Sequence, residues 1–325
     1  MSHTAPPGPV VLLKLGGSLI TDKERPDTAR PEVIRRLAAE ITQARIGPAG
    51  EGQSVQLILG HGSGSFGHTA AARLGVPEDA VPEGARCHFS ATPDASPEGT
   101  EDSACHPERT RRIWEGEIEE APLPLLGRDA GPAGVSRVQE RAAALHRQVV
   151  DALLAAGASP FSVAPSSALV AAGGRPVRFA AEPLLLALAA GLLPVVYGDV
   201  VMDREGGCAI ASTEAVFLAL AEELGRRGVP VVRALWAGVT DGVLGAGGER
   251  LDEVRAGRPG AAGEALAAAG GAAGTDVTGG MRHRLETALA LARRGIPSLI
   301  FDGAAPGRLA AALRGEAVPG TRILP

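Results

Sequence analysis

The sequence is poor in aromatic residues and has no excess of basic charge. Of its 325 residues only 3% are aromatic, so Ala, Val, Leu and Ile must fill most of the core. The formal net charge is −5 and the pI is near 5.9, which leaves no basic surface of the kind that binds nucleic acid. With 45% hydrophobic residues, the chain is long enough for one large α/β domain or two lobes.

Cysteines and long apolar segments are also few. Three cysteines are an odd and sparse set, which argues against a disulfide scaffold and is typical of a reducing compartment. The longest apolar stretch, Pro183–Val196, is too short to span a membrane and contains Gly191. Met1–Pro9 lacks the basic start and apolar core of a signal peptide. These absences predict a soluble cytoplasmic protein without a membrane partner.

Familiar catalytic motifs are missing too. No segment matches the P-loop pattern G-x-x-x-x-G-K-[ST], and no H-R-D sequence marks a protein-kinase catalytic loop. No motif typical of a Ser-His-Asp hydrolase is present either. What the chain does have is glycine, with 44 residues, several of them directly after apolar strands.

The most prominent of these glycine segments is Gly60–His68, which reads GHGSGSFGH. It follows the apolar run Val55–Leu59 and precedes a helix-like segment. A strand, a glycine-rich turn and a helix N-terminus together direct unpaired backbone N–H groups at one point, which suits a phosphate. By itself the segment fits a tight turn without a ligand about equally well.

A second glycine turn, Gly16–Ser18, follows the buried strand Val10–Leu15. Lys14 in that strand is costly to bury unless its ammonium emerges at the carboxyl end, where open α/β sheets bind ligands. Further glycine-bearing turns follow the strands that end at Tyr197 and near Leu235. We expect these four turns to collect along one edge of a parallel sheet.

Helical periodicity separates the predicted strands. Pro31–Ile46 carries an apolar stripe of period 3.6 and lies between the strands Val10–Leu15 and Val55–Leu59, which makes a βαβ unit. Further helices are predicted over 134–157, from Ser212 or Thr213 to Leu224, and from Thr278 to the residue before Gly295. The pattern predicts an α/β fold with a parallel sheet.

Two segments depart from this alternation. Residues 169–170 and 177–179 are predicted to form a hairpin around Gly173-Gly174, and Pro165-Ser166-Ser167 a turn after a strand at Ser162–Ala164. From about residue 78 to 132 the chain is rich in Pro, Ser, Glu, Asp and Ala with few large apolar residues. This composition predicts a flexible insert.

Lysines, helix N-termini and a histidine along one sheet edge suit charge-dense phosphates. Phosphoryl transfer requires little covalent help from the protein and much electrostatic stabilisation. The residues alone therefore predict a phosphotransferase without a P-loop, or a protein that binds phosphate esters.

Several motifs resemble those of known enzymes and follow one another along the chain in the same order as in those enzymes. The chain resembles the amino-acid kinase superfamily in Val11–Ser18 (VLLKLGGS), Gly198-Asp199, Thr240–Val243 (TDGV) and Asp276–Met281 (DVTGGM). Within it, the chain is similar to the isopentenyl phosphate kinases in Gly62–His68, Ile20–Lys23 and Pro165–Ser167. The resemblance covers nearly the whole chain outside about 78–132.

The resemblance implies a three-layer αβα sandwich with a mainly parallel central sheet. It implies a single domain over 9–325, with an acceptor lobe at about 9–190 and a nucleotide lobe at about 191–325. It further implies a homodimer that uses ATP and Mg²⁺ to convert isopentenyl phosphate to isopentenyl diphosphate in isoprenoid biosynthesis.

The resemblance also assigns roles by position, and it assigns no side chain to a metal. The catalytic residues would be Lys14, Lys23, His68 and Asp199, with both lysines neutralising the transferring phosphoryl and Asp199 orienting a lysine. The acceptor phosphate would bind to Gly62, Ser63, Gly64, His68 and Gly198. ATP would bind to Lys14, Gly16, Gly17, Ser18, Asp241, Gly280 and Arg284.

Two of these positions depart from the family pattern. Ser63 occupies the middle of a turn that commonly has only glycine or alanine, which is tolerable if its φ is negative. Arg284 stands where relatives place a lysine, and it keeps the charge but not the shape. A solvated surface arginine is the alternative for Arg284. The insert falls where the family binds the apolar tail of the substrate.

Other functions remain open. A kinase of the same fold acting on a phosphonate such as fosfomycin shares the glycine turn that ends in histidine. A glutamate or acetylglutamate kinase gives His68 no evident task, and a non-catalytic sensor would not need Lys14, Lys23 and His68. The Thr-Asp-Lys sequence at 21–23 and the Pro-Ser-Ser sequence at 165–167 favour isopentenyl phosphate.

Overall fold

Eight strands form the central sheet, with the most apolar segments in its middle. The computed structural model describes residues 8–45, 56–67, 123, 131–257, 265–266 and 280–325. In spatial order the strands are β10 (Glu253–Arg255), β12 (Thr321–Leu324), β11 (Ser298–Asp302), β9 (Val231–Gly238), β1 (Val10–Leu15), β2 (Gln56–His61), β6 (Leu193–Tyr197) and β3 (Pro160–Ser162). All neighbours from β11 to β3 are parallel, whereas β12 runs antiparallel to β11.

The four strands β9, β1, β2 and β6 are consecutive in this sheet and parallel, which confirms the prediction that their glycine turns share one edge. In register, Leu15 lies beside Ala237 on one side and His61 on the other, and His61 lies beside Tyr197. The sheet is continuous across the predicted lobes, since β6 pairs with both β2 and β3.

A smaller sheet contains the predicted hairpin. Its strands, in order, are β5 (Arg175–Phe179), β4 (Leu169–Ala172), β7 (Asp199–Asp203) and β8 (Gly207–Ala211). Asp203 joins its two hairpin turns, because its carboxylate accepts hydrogen bonds from the N–H groups of Gly173, Gly174, Glu205 and Gly206. Burial acts to raise the pKa of Asp203, but these four donors outweigh it and hold the pKa below its ordinary value.

Helices cover both faces of the large sheet, which confirms the three-layer αβα architecture. Leucines such as Leu37 and Leu145 pack one face and Leu184 and Leu285 the other. The first face carries α2 (Pro31–Arg45), α3 (Gly131–Ala155) and α8 (Arg308–Arg314), and the second carries α5 (Glu182–Ala189), α6 (Thr213–Arg226) and α7 (Gly280–Arg293).

Some local predictions were wrong. Pro165-Ser166-Ser167 is not a turn but the start of the one-turn helix α4 (Pro165–Ala168), because proline fits the first helical position without loss of a hydrogen bond. The strand expected at 162–164 ends at Ser162. The short α1 (Gly17–Ile20) and the strands β10 and β12 were not predicted from the sequence.

Some of the residues with sequence-based predictions lie outside the described residues. This holds for His68, for Asp276–Gly279 and for the insert at 78–132 apart from Leu123 and the first residues of α3. In the ranges that the structure describes, no helix is both long enough and apolar enough to cross a membrane.

Candidate active site

The glycine turns after β1 and β2 lie against each other, backbone to backbone. A Cβ built on Gly17 would lie 2.7 Å from both N and Cα of Gly64, and one built on Gly62 would lie 2.9 Å from N of Gly17. Glycine at 17 and 62 is therefore required by this close approach, since neither residue has a positive φ. The contact brings two turns of the phosphate-binding type into one place.

Both turns carry backbone N–H groups without an acceptor. Four such groups make no hydrogen bond to any other residue of the described part of the chain: Gly17, Ser18, Ser63 and Gly64. Residues 17–20 and 64–67 are helical, so these groups lie at or next to the positive ends of two short helical segments. Unpaired N–H groups in such positions are suited to bind anions.

Ser63 fits into the turn because its φ is not positive, as the sequence analysis required. Asp27 is the only non-glycine residue with positive φ in the described ranges, so the φ of Ser63 is not positive. Its side chain points toward Gly67, where an added Cβ would lie 2.1 Å from Ser63 Oγ. The residue after Gly67 is His68, which lies outside the described residues.

Thr21 connects the two turns through its hydroxyl. Thr21 Oγ1 donates to the carbonyl of Gly17 at 2.8 Å and accepts from the N–H of Ser65 at 3.1 Å. Thr21 is fully buried, whereas Lys23, two residues further along, is exposed in the loop that follows α1. The loop that carries Lys23 is thus anchored beside both turns.

Lys14 is buried at the carboxyl end of β1 and forms an ion pair with Glu214, which lies in the helix predicted from Ser212 or Thr213 to Leu224. Both side chains are less than a tenth exposed. Glu214 lies in the first turn of α6, which Ser212 caps. Gly60, which lies beside Lys14 in the sheet, allows this approach, because a Cβ there would lie 2.6 Å from Thr213 Cγ2.

Three basic side chains surround the Glu214 carboxylate. Burial raises the pKa of Glu214, but Lys14, His283 and Arg284 lower it more, so that the pKa falls to about 2. His283 also contacts the cap of the same helix, with Nε2 at 2.9 Å from Ser212 Oγ. The region around Glu214 therefore has an excess of positive charge at neutral pH.

Arg284 lies at the sheet edge, and the alternative of a solvated surface arginine is wrong. The residue is 6% exposed. A Cβ built on Gly238 would lie 2.7 Å from its Nη1, and one built on Gly16 3.4 Å from its Nη2. No hydrogen bond joins this guanidinium to another residue in the described ranges. A buried cation without an acceptor is costly, so this position suits an anionic ligand.

Asp199 fixes the backbone at the start of β7. Its carboxylate accepts from the N–H of Ser166 at 3.1 Å and from the N–H of Val200 at 2.8 Å. Burial raises the pKa of Asp199, and the bonds from Ser166 and Val200 oppose that shift. Lys14 pairs with the carboxylate of Glu214, and the role expected of Asp199, to orient a lysine, stays a prediction.

The remaining predicted nucleotide residues lie at the ends of β9 and α7. Asp241 follows β9 and is exposed, and it forms an ion pair with Arg308, the first residue of α8. Gly280 is the first residue of α7. Within the described residues no group of three or more His, Cys, Asp or Glu side chains is arranged to hold a metal ion.

Comparison with known proteins gives a consistent result. Residues 9–302 match the amino acid kinase family. The isopentenyl phosphate kinase of Methanothermobacter thermautotrophicus is 30% identical over 318 residues, which cover 97% of this chain and 98% of that protein. The isopentenyl phosphate kinase of Haloferax volcanii is 30% identical over 316 residues, with 97% and 98% covered.

Solved structures show the same likeness. An X-ray structure of isopentenyl phosphate kinase superposes with a TM-score of 0.66 at 26% identity and covers 97% of this chain and all of its own. N-acetylglutamate synthase from Neisseria gonorrhoeae superposes with a TM-score of 0.60 at 16% identity, over 98% of this chain and 60% of that one. At that identity the second likeness concerns the fold alone.

Proposed function

Since this chain belongs to the amino acid kinase family, we propose that it transfers a phosphoryl group from ATP to isopentenyl phosphate. The product is isopentenyl diphosphate, a precursor for isoprenoid biosynthesis, and the enzyme is a phosphotransferase with a phosphate group as acceptor. The observation that carries the proposal is the contact between Gly17 and Gly64, which places two anion-binding turns side by side.

The turn after β2 holds the acceptor phosphate in this proposal. The N–H groups of Ser63 and Gly64 bind its oxygens, with Gly62 and Gly198 leaving room for the backbone to approach. His68, directly after the turn, donates a hydrogen bond and adds charge. An acceptor phosphate is already an ionised nucleophile, so the reaction requires no general base.

The turn after β1 holds the phosphates of ATP. The N–H groups of Gly17 and Ser18 and the buried Arg284 supply hydrogen bonds and positive charge, while Gly16 lies against Arg284. Asp241 and Gly280 line the nucleotide side of the site. The fit to a polyphosphate rests on the unpaired N–H groups and on a guanidinium that donates no hydrogen bond to any described residue.

Lys14 lies where the two phosphate groups meet. Attack of one anion on another requires positive charge between them, and a preorganised cation supplies it without reorganisation during the reaction. The low pKa of Glu214 keeps its carboxylate ionised and so keeps the Lys14 ammonium oriented. Lys23 is exposed on the anchored loop and adds positive charge to the transferring phosphoryl group.

Several features of the proposal rest on the family alone. Mg²⁺ commonly binds through phosphate oxygens with few protein carboxylates, which is compatible with the lack of a metal-binding cluster among the described residues. The magnesium ion would neutralise charge on the triphosphate. We further infer a homodimer and a cytoplasmic location, the latter in keeping with the sparse cysteines.

The test is a comparison of acceptors. The purified protein with ATP and Mg²⁺ is given isopentenyl phosphate, dimethylallyl phosphate, fosfomycin or acetylglutamate, and ADP release is measured. A Lys14→Met variant serves as the control for contaminating kinases. We expect the highest kcat/KM with isopentenyl phosphate. Preference for fosfomycin would assign the phosphonate reaction instead, and no turnover with any acceptor would favour a sensor.

A further inference from the structure

A row of hydrogen-bonded polar groups leads from the surface to the turn after β2, and the proposed reaction does not use it. His61, the last residue of β2, is fully buried. Its Nδ1 lies 3.1 Å from the carbonyl oxygen of Gly62, and its Nε2 lies 3.1 Å from Nδ1 of His146 on α3. His146 Nε2 lies 2.8 Å from Oγ of Ser162, at the end of β3.

Both histidines are neutral at physiological pH. Burial lowers the pKa of His61 to about 4, with the Gly62 bond opposing the shift and Lys14 adding to it. Burial, followed by the charges of His61 and Arg147, lowers the pKa of His146 to about 3. Each ring therefore has one N–H donor and one acceptor nitrogen.

The carbonyl at the end of the row fixes the direction of every hydrogen bond. A carbonyl oxygen can only accept, so Nδ1 of His61 carries the proton and its Nε2 must accept. His146 then donates from Nδ1, and its Nε2 accepts from the hydroxyl of Ser162. The geometry assigns the Nδ1–H tautomer to both histidines.

The ring and the backbone of His61 are held independently. Its ring stacks on Tyr197 with an interplanar angle of 11° and a centroid distance of 5.6 Å. Its carbonyl oxygen accepts from Thr213 Oγ1 at 2.7 Å and from the N–H of Gly198 at 3.1 Å. A donor fixed in this way can determine the orientation of the group that it binds.

The group that it binds is the peptide unit between Gly62 and Ser63. In a trans peptide the C=O and the N–H point in opposite directions. Because the Gly62 carbonyl is directed at the buried His61 ring, the Ser63 N–H is directed away from it. This N–H is one of the four that lack an acceptor in the described part of the chain.

We propose that His61, oriented by His146 and Ser162, is a positioning residue that aims the Ser63 N–H at the acceptor phosphate. The inference rests on the proposed function, in which the turn after β2 binds that phosphate. His61 itself touches neither substrate. Its effect is therefore expected on acceptor binding more than on ATP binding.

The first test compares two variants at the same position. Asn in place of His61 has an amide nitrogen at the position of Nδ1 and can still donate to Gly62, whereas Gln extends past that position. We expect His61→Gln to raise KM for isopentenyl phosphate at least about tenfold, the effect of misaligning one charge-assisted hydrogen bond. We expect His61→Asn to restore KM to within about threefold of the wild type, and KM for ATP to change less than threefold in both.

Equal changes in both KM values, or no rescue by Asn, would overturn the inference. If His61→Gln does not fold, His146→Gln replaces it, because that side chain keeps an acceptor near Ser162 but loses the donor to His61. We expect a smaller but still acceptor-specific rise in KM for that variant. An unchanged acceptor KM would count against the proposal.

The second test does not depend on the acceptor being isopentenyl phosphate. Ring ¹⁵N shifts of His61 and His146 report their tautomers, and the amide shift of Ser63 reports binding of inorganic phosphate. We expect Nδ1–H tautomers for both, and a Ser63 shift that His61→Gln abolishes. An Nε2–H tautomer at His61, or a Ser63 shift that survives His61→Gln, refutes the inference alone. A wild-type protein that binds phosphate but does not turn over isopentenyl phosphate refutes the proposed function alone.

Discussion

Lys14 and Glu214 are 200 residues apart in the sequence and form an ion pair in which both side chains are buried. Removing one partner of a buried pair leaves the other charge without compensation and costs about 3–5 kcal/mol. We expect Glu214→Gln to lower the free energy of unfolding by that amount. Urea denaturation measures it, with Glu222→Gln on the exposed face of α6 as the control. A loss no larger than that of the control would show that the pair contributes no stability.

The same variant tests whether Lys14 belongs to an anion site. Without the Glu214 carboxylate, a bound phosphate would supply a larger share of the counter-charge to Lys14 than it does in the wild type. ATP should therefore raise the melting temperature of Glu214→Gln by more than it raises that of the wild type. An equal or smaller rise would place the bound phosphates away from Lys14.

The contact between the two turns predicts a large effect of one methyl group. Gly17→Ala places a Cβ against the backbone of Gly64, so the turns must separate. A displacement of about 1 Å between reacting groups lowers the rate roughly 100-fold, and we expect a loss of kcat of that order. Gly257→Ala is the matched control, because a Cβ there meets nothing within 4 Å. Full activity of Gly17→Ala would show that catalysis does not depend on the close contact between the two turns.

Arg284 provides a test of the nucleotide side. Arg284→Lys keeps the charge but loses the forked geometry, and Arg284→Met loses both. We expect KM for ATP to rise roughly tenfold for Lys and roughly 100-fold for Met, from the usual strength of charge-assisted hydrogen bonds. KM for the acceptor should change little. Arg282→Lys, on an exposed position of α7, is the control, and a rise in acceptor KM alone would reassign the residue.

The two buried histidines predict how stability depends on pH. Their pKa values fall from 6.5 to about 4 for His61 and about 3 for His146, so between pH 6.5 and 4 the unfolded chain binds protons that the folded chain does not. Stability is thus full above about pH 6.5 and declines as the pH falls. The carboxylate of Glu214, with its pKa near 2, adds to this loss of stability only below about pH 4.5.

The size of this decline follows from linkage. Each histidine lowers the free energy of unfolding by at most about 1.4 kcal/mol per pH unit. We expect a loss of about 2–4 kcal/mol between pH 7 and pH 5 in urea denaturation, and about half that loss for His146→Gln. The same loss in wild type and variant would mean that His146 is already charged or solvated in the folded protein.

In the proposed function the choice of acceptor depends most on His68, a role that is predicted from the sequence alone. His68→Ala should abolish transfer to isopentenyl phosphate without unfolding the protein. A bound phosphate dianion favours the imidazolium, so the pKa of His68 should rise when isopentenyl phosphate is added. Histidine titration by NMR measures this, and an unchanged titration or a fully active variant would remove His68 from the site.

Sequence patterns were sufficient to predict that the glycine turns of the candidate site lie at one edge of the sheet. The predicted strands that end at Leu15, Leu59, Tyr197 and near Leu235 are largely apolar and lead into glycine-bearing turns, and parallel strands of that kind bring their carboxyl ends together. The βαβ unit predicted the parallel sheet, whereas the helices on both faces were implied by the resemblance to the amino-acid kinase superfamily. The strand and turn patterns are local in sequence, which is why they could be read without coordinates.

The partners of the site residues could not be predicted in this way. The local sequence indicated only that Glu214 suits the first turn of a helix, and no local pattern connects it with Lys14. Arg284 lies beside an apolar stripe, so periodicity could not decide between surface and interior. His61 is inconspicuous between two glycines, and its partner His146 lies 85 residues further along. Such contacts depend on how distant elements pack, which periodicity does not specify.

The backbone contact between Gly17 and Gly64 has a consequence for how substrates are selected. In the proposed reaction it sets the separation between donor and acceptor phosphates, and no rotamer change or water layer can alter it. Selection then divides into two independent parts: the turns determine whether a terminal anion lies within reach, and other surfaces determine which organic group it carries. Changes that remodel the latter should broaden the range of acceptors while the transfer rate for each well-seated phosphate stays the same.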